Sequence, residues 1–585
     1  MGASPTPDTR FSTTRSCAAV PLPANLGKLP VLDRATIAQR ISQGELLVIH
    51  APLVYKIPPA WLRTHPGGDL SILHYVGRDA SNEIEAYHSG ATVALRMARW
   101  VCGRVEVDSE VGWRDMVPPV QLHKWPIPNE AAKLDQPKAP ASASHLLPEA
   151  VVEKVEAIAD EAAKAQARGA LSADEIDPPL APSSLLPLTP AYQHHLRQSQ
   201  RAFHAHLQSL NLDTPPTPLA GYGTLLVLYC ALALAFALLY AAAHSTVGYF
   251  LAAVALGLFW HQVTFVVHDA AHTGLTGDWL HDRIASILIA AFLGGLSAGW
   301  WADNHNVHHL VTNSPEHDPD IQHIPFLAIS TNFFANLRSS YHKRVMEIDW
   351  LAKVMLPLQH NLYYVIMAVA RFNLFAMSYI FLATKFPTRG SPMFKLRFLE
   401  LVGIACFWAW FGGVVLRGIE GTGNKVLFVL VSFAVTSPLH VQIVLSHFSQ
   451  PISVSSDIVP HTELLESHMH RQLRTTMDIS CPPYLDFLHG GLNFQTPHHL
   501  LPRIPRFRFR AVMAETEKWV AMERDQVKDG CWNGIRLKDG EGLRYKKMDF
   551  VDANRDVLGV LRNVARQAKF LGQVAQADAR GELYD

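Results

Sequence analysis

Three short histidine clusters decide the fold of this chain: His268-Asp269-Ala270-Ala271-His272, His305-Asn306-Val307-His308-His309 and Gln495-Thr496-Pro497-His498-His499. Positions i, i+3 and i+4 of a helix lie on one face, so each cluster presents its imidazoles together. Imidazole is a good ligand for first-row transition metals, including iron. The clusters lie at the ends of very apolar segments. The pattern therefore predicts a metal centre held at a membrane surface.

The composition of the 585-residue chain excludes several classes of protein. Basic and acidic residues each number 51, so the net charge is near zero and we expect no nucleic-acid partner. Only 17% of the residues are charged, whereas about a quarter is usual in soluble proteins. The six cysteines form no CxxC pair, which argues against a disulfide framework or a zinc ribbon. We also expect no signal peptide, because residues 1–24 lack an apolar core.

A sharp turn organises the N-terminal part of the chain. We expect a disordered lead at residues 1–28 and a small α+β domain at residues 29–110. Within that domain, His65-Pro66-Gly67-Gly68 forms a tight turn, because proline fixes one backbone angle and glycine accepts positive φ. Such a turn holds His65 rigidly at a cleft, and His88 is placed to close on the same ligand from the opposite wall.

This domain resembles cytochrome b5 over residues 29–106, on the HPGG turn and on Tyr87-His88-Ser89. The resemblance implies a haem b group with His65 and His88 as axial ligands and with Pro66, Gly67 and Gly68 shaping the turn. An iron with both axial positions filled has no open site, which implies an electron carrier and not an oxygen binder. The alternative is that His65 serves only its own loop.

Residues 111–200 read as a linker rich in proline and alanine. Proline-rich segments are extended and semi-rigid, and residues 151–167 predict one solvated helix. We expect this tether to let the N-terminal domain reach a second site.

Four segments without internal charge predict membrane spans, at residues 224–243, 247–267, 399–416 and 426–446. A bilayer needs roughly 20 apolar residues, and the short links predict two helical hairpins. Residues 284–301 and 361–383 are weaker candidates for membrane spans, since the first segment is rich in small residues and the second contains Arg371. We interpret both as interfacial or re-entrant, with a full span as the alternative for each. The expected fold is therefore a small haem domain plus an all-α membrane domain with four transmembrane helices, at residues 201–515.

Two hairpins leave both termini and residues 270–398 on one side of the membrane. Basic residues concentrate in that central region, which the positive-inside rule assigns to the cytosol. All three histidine clusters and the haem domain then lie on the same cytosolic face.

The three clusters resemble the histidine boxes of membrane fatty-acyl and sphingolipid desaturases, and the b5-like domain with Gln495 in the third box resembles their front-end branch. The resemblance implies two iron ions. His447, after the fourth span, resembles a further ligand of the family, and Gln495 takes the place of a histidine ligand. The implied metal-site residues are His268, His272, His305, His308, His309, His447, Gln495, His498 and His499.

Other polar residues near the boxes are expected to support the ligands and not to bind metal. Asp269, Asp303 and Asn304 are candidates for orienting the imidazoles from behind. Asp318 and Asp320 are interpreted as helix caps or as similar supporting groups.

Residues 304–325 and the long linker most resemble fungal delta-8 sphingolipid desaturases. This resemblance implies O2-dependent insertion of a double bond into the long-chain base of ceramide, in the endoplasmic reticulum membrane. Electrons are expected from NADH through NADH-cytochrome b5 reductase and the chain's own haem.

Two alternatives remain open at this stage. The same boxes serve front-end fatty acyl desaturases and hydroxylases. A non-enzymatic membrane protein that binds haem or lipid is the alternative of another class. The helical tail at residues 516–585 carries no functional signal.

Overall fold

The computed structural model describes residues 26–62, 64–88, 96–124, 171–179, 186–213, 218–387, 391–453, 464–537 and 542–580. The predicted lead up to residue 25 and the predicted solvated helix at residues 151–167 lie outside the described residues.

The N-terminal domain is a small antiparallel sheet covered by short helices. Its described elements are α1 (Arg34–Ser42), β1 (Leu47–His50), β2 (Leu53–Lys56), α2 (Pro59–Leu62), α3 (Leu70–Leu73), α4 (Ser81–Tyr87) and β3 (Val101–Arg104). The strand order is β1-β2-β3, and Ile37, Val54 and Val76 lie in the fully buried core. Asp33 starts α1 by accepting a hydrogen bond from the Thr36 amide, as a helix N-cap does.

Two helices of the predicted linker region pack against folded domains. The short helix α5 (Ala173–Ile176) lies on the haem-side domain, where Asp177 forms an ion pair with Arg34 at 2.7 Å. The longer helix α6 (Pro190–Ser209) contacts that domain through Gln200, which accepts a hydrogen bond from Asn82 at 3.1 Å. The predicted linker boundary at residue 200 thus falls inside a helix that touches the haem-side domain.

Long apolar helices build the second domain. In chain order its described elements are α7 (Pro218–Ala241), α8 (Thr246–Ala271), α9 (Trp279–Ile287), α10 (Ala298–Leu310), β4 (Arg338–Ser339), β5 (Arg344–Val345), α11 (Trp350–Met355), α12 (Gln359–Thr384), α13 (Pro392–Trp410), α14 (Thr422–Ala434) and α15 (Ser437–Leu445). Helix α8 packs against both α7 and α14. A π-helical turn, Phe411–Leu416, extends α13.

The predicted count of four spans is not confirmed. In the described part of the chain, five segments are long and apolar enough to cross a membrane: Gly221–Ala241, Thr246–Ala271, Trp350–Thr384, Met393–Leu416 and Thr422–Leu445. The additional segment contains Arg371, whose charge was the argument against it. Arg371 is buried, stacks 4.3 Å from the centre of the Trp260 ring and donates a hydrogen bond to the Gly294 carbonyl at 2.9 Å. Because these contacts solvate the guanidinium inside the protein, its charge does not disqualify the helix.

The segment predicted to be re-entrant is sharply bent. Helix α9, extended by a π-helical turn to Leu293, meets α10 at an angle of 119°. The bend is typical of a re-entrant loop or of one broken span. It places the second histidine cluster, on α10, beside the end of α8.

The C-terminal region returns to the membrane domain. Its described elements are α16 (His468–Thr475), β6 (Asp478–Ser480), α17 (Asp486–His489), α18 (Gln495–Leu500), α19 (Phe509–Asp525), β7 (Val527–Lys528), β8 (Cys531–Trp532), β9 (Ile535–Arg536), β10 (Lys547–Asp549) and α20 (Phe550–Ala579). Strand β10 pairs in parallel with β6, and α20 packs on α12.

Candidate metal centre and haem site

The three histidine clusters converge on one buried site. The imidazoles come from the end of α8, the last turns of α10, helix α18 and His447, which lies two positions after α15. Two groups have ligand atoms within 4.8 Å of one another, a spacing suited to one metal ion each. The first group is His268, His272, His305 and His498, and the second is His308, His447 and His499.

Each imidazole of the second group is anchored through its Nδ1 atom. His308 donates to Asp318 at 2.9 Å, His447 to the Thr475 carbonyl at 3.1 Å, and His499 to the Gln472 side-chain oxygen at 3.0 Å. The Nε2 atoms of His308 and His499 are buried without a partner among the described groups. Anchoring one ring nitrogen fixes the tautomer and turns the other toward a metal, which is how metal-binding histidines are held.

The first group contains several orphaned ring nitrogens. Both nitrogens of His272 and of His498, and Nε2 of His268, are buried without a hydrogen-bond partner in the described structure. Unpaired buried polar atoms are costly, so a cluster of them requires an unseen partner. The donor set of imidazole nitrogens fits iron, and these orphaned atoms therefore fit a bound ion.

His309 and Gln495 lie at the same site but outside both groups. His309 approaches His305 at 3.0 Å between Nε2 atoms and stacks on His499 with ring centres 4.0 Å apart. Gln495 is buried, and its side-chain oxygen has no partner among the described residues. The structure thus brings together all nine residues that the sequence assigned to the metal site.

Burial favours the neutral form of several of these imidazoles. It lowers the pKa of His447, His498 and His499 well below the usual value for histidine, and neighbouring imidazoles lower each pKa further. His308 differs, because burial lowers its pKa but the carboxylates of Asp318 and Asp320 outweigh burial and raise it. Neutral imidazole is the form that binds metal ions.

The candidate supporting residues contact different partners. Asp303 pairs with Lys385 at 2.8 Å. Asp269 contacts Tyr222 and Arg506 through one oxygen, and its other oxygen lies 3.6 Å from Nδ1 of His268. The carboxylates at the second cluster are Asp318, on His308, and Asp320, 3.5 Å from His305. Both lie after α10 in sequence, where the chain turns back over that helix.

Gln472 is a supporting residue that sequence reasoning missed. Its side-chain oxygen accepts from His499, and its nitrogen donates to the His309 carbonyl at 2.7 Å. One glutamine on α16 therefore links the second cluster to the third. No local pattern could identify it, because its partners are far away in the sequence.

The two predicted haem ligands face each other across a gap. The ring centres of His65 and His88 are 6.2 Å apart, and each Nδ1 is held by a backbone carbonyl, of Gly68 at 3.0 Å and of Ile84 at 3.1 Å. With metal–nitrogen bonds of about 2 Å, this gap accommodates one metal ion between the two free Nε2 atoms. Burial lowers the pKa of His88 to about 4, which keeps it neutral. The pair fits an axially bis-histidine haem.

An apolar cavity extends from the first metal group into the membrane domain. Trp301 borders it and stacks on His305 at 4.3 Å, while Trp300 lines the same wall. Trp260 and Arg371 border its deeper part. These positions would let Trp300 and Trp301 border an apolar chain that enters the cavity.

The fold and the site combine apolar helices long enough to cross a membrane, two buried histidine groups that could each hold a metal ion, and a fused domain with a facing histidine pair. Residues 33–120 match the cytochrome b5-like heme/steroid binding domain family, and residues 245–524 match the fatty acid desaturase family. The chain belongs to the fatty acid desaturases that carry a cytochrome b5 domain, and it is an oxidoreductase. Family membership favours this class over the non-enzymatic alternative.

The similarity extends along nearly the whole chain. The delta 8-(E)-sphingolipid desaturase of Emericella nidulans is 36% identical over 572 residues, which cover 95% of this chain and 98% of the relative. The delta 8-(E)-sphingolipid desaturase of Komagataella phaffii is 34% identical, covering 92% of this chain and 94% of the relative. The delta(8)-fatty-acid desaturase of Helianthus annuus is 34% identical over 56% of this chain and 65% of the relative.

Proposed function

We propose that the protein is a delta-8 sphingolipid desaturase, which inserts a double bond between C8 and C9 of the long-chain base of ceramide. The observation that carries this proposal is the pair of buried histidine groups, the first of which borders an apolar cavity through His268. The near full-length similarity to fungal delta 8-(E)-sphingolipid desaturases supports this substrate.

We propose two iron ions as the metal cofactor. His268, His272, His305 and His498 are the candidate ligands of one ion, and His308, His447 and His499 of the other; His309 and Gln495 complete the set. Bound iron supplies the O2-derived oxidant that an unactivated C–H bond requires. The protein holds the imidazoles through Asp318, Gln472 and the Thr475 carbonyl, and its apolar cavity excludes water from the reacting carbons.

The haem domain is the proposed electron donor. His65 and His88 would hold haem b, with Pro66, Gly67 and Gly68 forming the turn that presents His65. Electrons would come from NADH through an NADH-cytochrome b5 reductase, with O2 as the final acceptor. We propose a division into a lead (1–28), a haem domain (29–110), a linker (111–200), a membrane domain (201–515) and a tail (516–585), in which the boundary at residue 200 falls inside α6.

We propose that the apolar tail of the base enters this cavity from the metal site. Trp260 and His268 both border it and are eight residues apart on α8, which corresponds to about 12 Å along a helix. The tail beyond the reacting carbons would then run toward Trp260 and Arg371.

We propose that the haem domain and the metal site face the cytosol from the endoplasmic reticulum membrane. The chain would cross the membrane through α7, α8, α13 and α14–α15. Helix α12 would lie on the cytosolic side, because both of its ends contact elements on that side. Gln359 donates to the Leu561 carbonyl of α20 at 2.9 Å, and Lys385, just beyond α12, pairs with Asp303 of α10.

A fatty acyl chain is the second candidate substrate. The Helianthus annuus relative bears the name delta(8)-fatty-acid desaturase, and a saturated acyl tail fits the same apolar cavity. A hydroxylase would use the same metal site and would leave an added oxygen on the product.

Expression in a host that makes saturated long-chain bases tests the proposal. Mass spectrometry of the host lipids is expected to reveal a new double bond in long-chain bases. His308→Ala should abolish it, whereas His281→Ala, which changes an exposed histidine, should retain it. A new double bond only in fatty acyl chains, or an added oxygen, would contradict the sphingolipid desaturase proposal.

A further inference from the structure

The haem-side domain is seated directly on α10, the helix that carries the second histidine cluster. A Cβ atom at Gly67 would lie 3.2 Å from the Asn306 side chain, and one at Gly68 would overlap the Asp303 carboxylate. Both partners belong to α10. The haem-ligand turn therefore approaches this helix so closely that only glycine fits, and Gly68 also has a φ of +88°.

Polar contacts hold the two domains in this arrangement. Arg283 of α9 donates to the Pro66 carbonyl at 3.1 Å, next to the proposed haem ligand His65. The Tyr75 hydroxyl donates to Glu83 at 2.9 Å and lies 3.3 Å from the Leu310 carbonyl, to which Arg471 donates at 2.6 Å. A buried carbonyl contacted from both domains fixes their relative position.

Tyr87 lies between the two sites. It directly precedes His88, and its ring meets the His309 ring edge-on with centres 6.3 Å apart. The ring packs both on the core of the haem-side domain and on the apolar cluster that contains Leu500 of α18. Its hydroxyl is buried without a partner among the described residues, so hydrogen bonding does not explain a tyrosine here.

We propose that Tyr87 is the positioning residue that couples the haem domain to the metal centre, with its aromatic ring bridging His88 and His309. This inference rests on the proposed function, because it takes the haem as the electron donor. In each step one electron crosses the Tyr87 ring; a ferrous haem iron becomes ferric, and one ferric ion of the histidine site becomes ferrous. No bond forms or breaks, and NADH is the ultimate reductant.

Stopped-flow absorbance of the full-length, haem- and iron-loaded protein tests this role. The haem is reduced without oxygen, and its reoxidation is followed after mixing with O2 and ceramide. Tyr87→Phe keeps the ring and should retain the wild-type rate. Tyr87→Leu removes the ring and should slow reoxidation tenfold or more, equivalent to at least about 1.4 kcal/mol of activation free energy. If Tyr87→Leu loses haem, Tyr87→Met, whose flexible chain fills the space without a ring, replaces it.

Two controls separate coupling from folding and docking. Tyr75→Phe removes the hydroxyl that contacts Glu83 and the Leu310 carbonyl but leaves the ring bridge, so its reoxidation rate should equal that of the wild type. The midpoint potential of the haem should be unchanged in every variant. A wild-type rate in Tyr87→Leu, or an equal loss in Tyr75→Phe, would overturn the role of Tyr87. No O2-dependent reoxidation in the wild type would instead refute the proposed electron donor, and the inference with it.

Discussion

Replacing Asp318 by asparagine should empty one half of the metal centre and leave the other occupied. Asp318 is fully buried, and its two oxygens accept from His308 at 3.0 and 2.9 Å and from the Asn313 and Asp320 amides, both at 2.8 Å. Asparagine has nearly the same shape but offers only one acceptor oxygen. At least one buried donor is therefore left without an acceptor, and His308 is no longer held by a charge.

The expected loss of metal affinity follows from these contacts. Loss of an outer partner of a metal-binding histidine weakens metal affinity by about 10- to 100-fold. That range corresponds to about 1.4 to 2.8 kcal/mol of binding free energy. Only the group of His308, His447 and His499 depends on this carboxylate, so the ion held by the other group should keep its affinity.

Metal analysis during titration with an iron chelator measures the effect. The wild type should release both ions over one range of chelator concentration, whereas Asp318→Asn should lose one ion at a 10- to 100-fold lower concentration. Asp115→Asn is the matched control, because Asp115 is a buried carboxylate in the haem-side domain, bonded to Arg197 and the Asp79 amide. Equal chelator sensitivity of Asp318→Asn and the wild type would refute the reasoning.

Three further predictions concern the haem turn, the haem and the cavity. Gly68→Ala combines a strained backbone, costing about 1–2 kcal/mol, with overlap at Asp303. We therefore expect a lower melting temperature and weaker haem absorbance. The control Gly559→Ala, on an open helix surface, should lower neither. His65→Ala should abolish the haem Soret band while metal analysis still finds the wild-type content of non-haem iron, and loss of both would contradict two separate sites. Trp260→Ala should lengthen the cavity, so product analysis with mixed 18- and 20-carbon bases should shift toward the longer base; an unchanged ratio would show that Trp260 does not limit chain length.

The ligands could be predicted from sequence because their spacing is local. A histidine at i, i+3 and i+4 can only lie on one helical face, and the HPGG turn has few possible conformations. The joining of His268, His305 and His498 in one group could be expected only from the resemblance and from the topology of the spans.

The sequence could not show which supporting residue contacts which imidazole, because these pairings depend on contacts between distant parts of the chain. Asp303 lies on the same helix as the histidines but points to Lys385, whereas Asp318 returns over α10 to reach His308. Gln472 reaches two clusters from a separate helix. Which of these residues reaches a histidine depends on the tertiary path of the backbone.

Helix α12 and the tail illustrate the same limit. Arg371 made a span improbable from sequence, but Trp260 and the Gly294 carbonyl compensate its burial. The tail carried no signal, yet β10 pairs with β6, and Tyr545 bonds to Asp478, which in turn accepts from the Thr496 amide at 2.8 Å. The tail therefore braces the third histidine cluster.

The most direct test of the account uses purified protein in a bilayer with NADH, the reductase and ceramide whose 18-carbon base carries two deuterium atoms on each of C8 and C9. We predict a product that has lost one deuterium from each carbon, keeps one on each and has gained one double bond between them, with no product from His308→Ala. A double bond at another position, desaturation of the amide-linked acyl chain, or retention of both deuterium atoms at either carbon would contradict it.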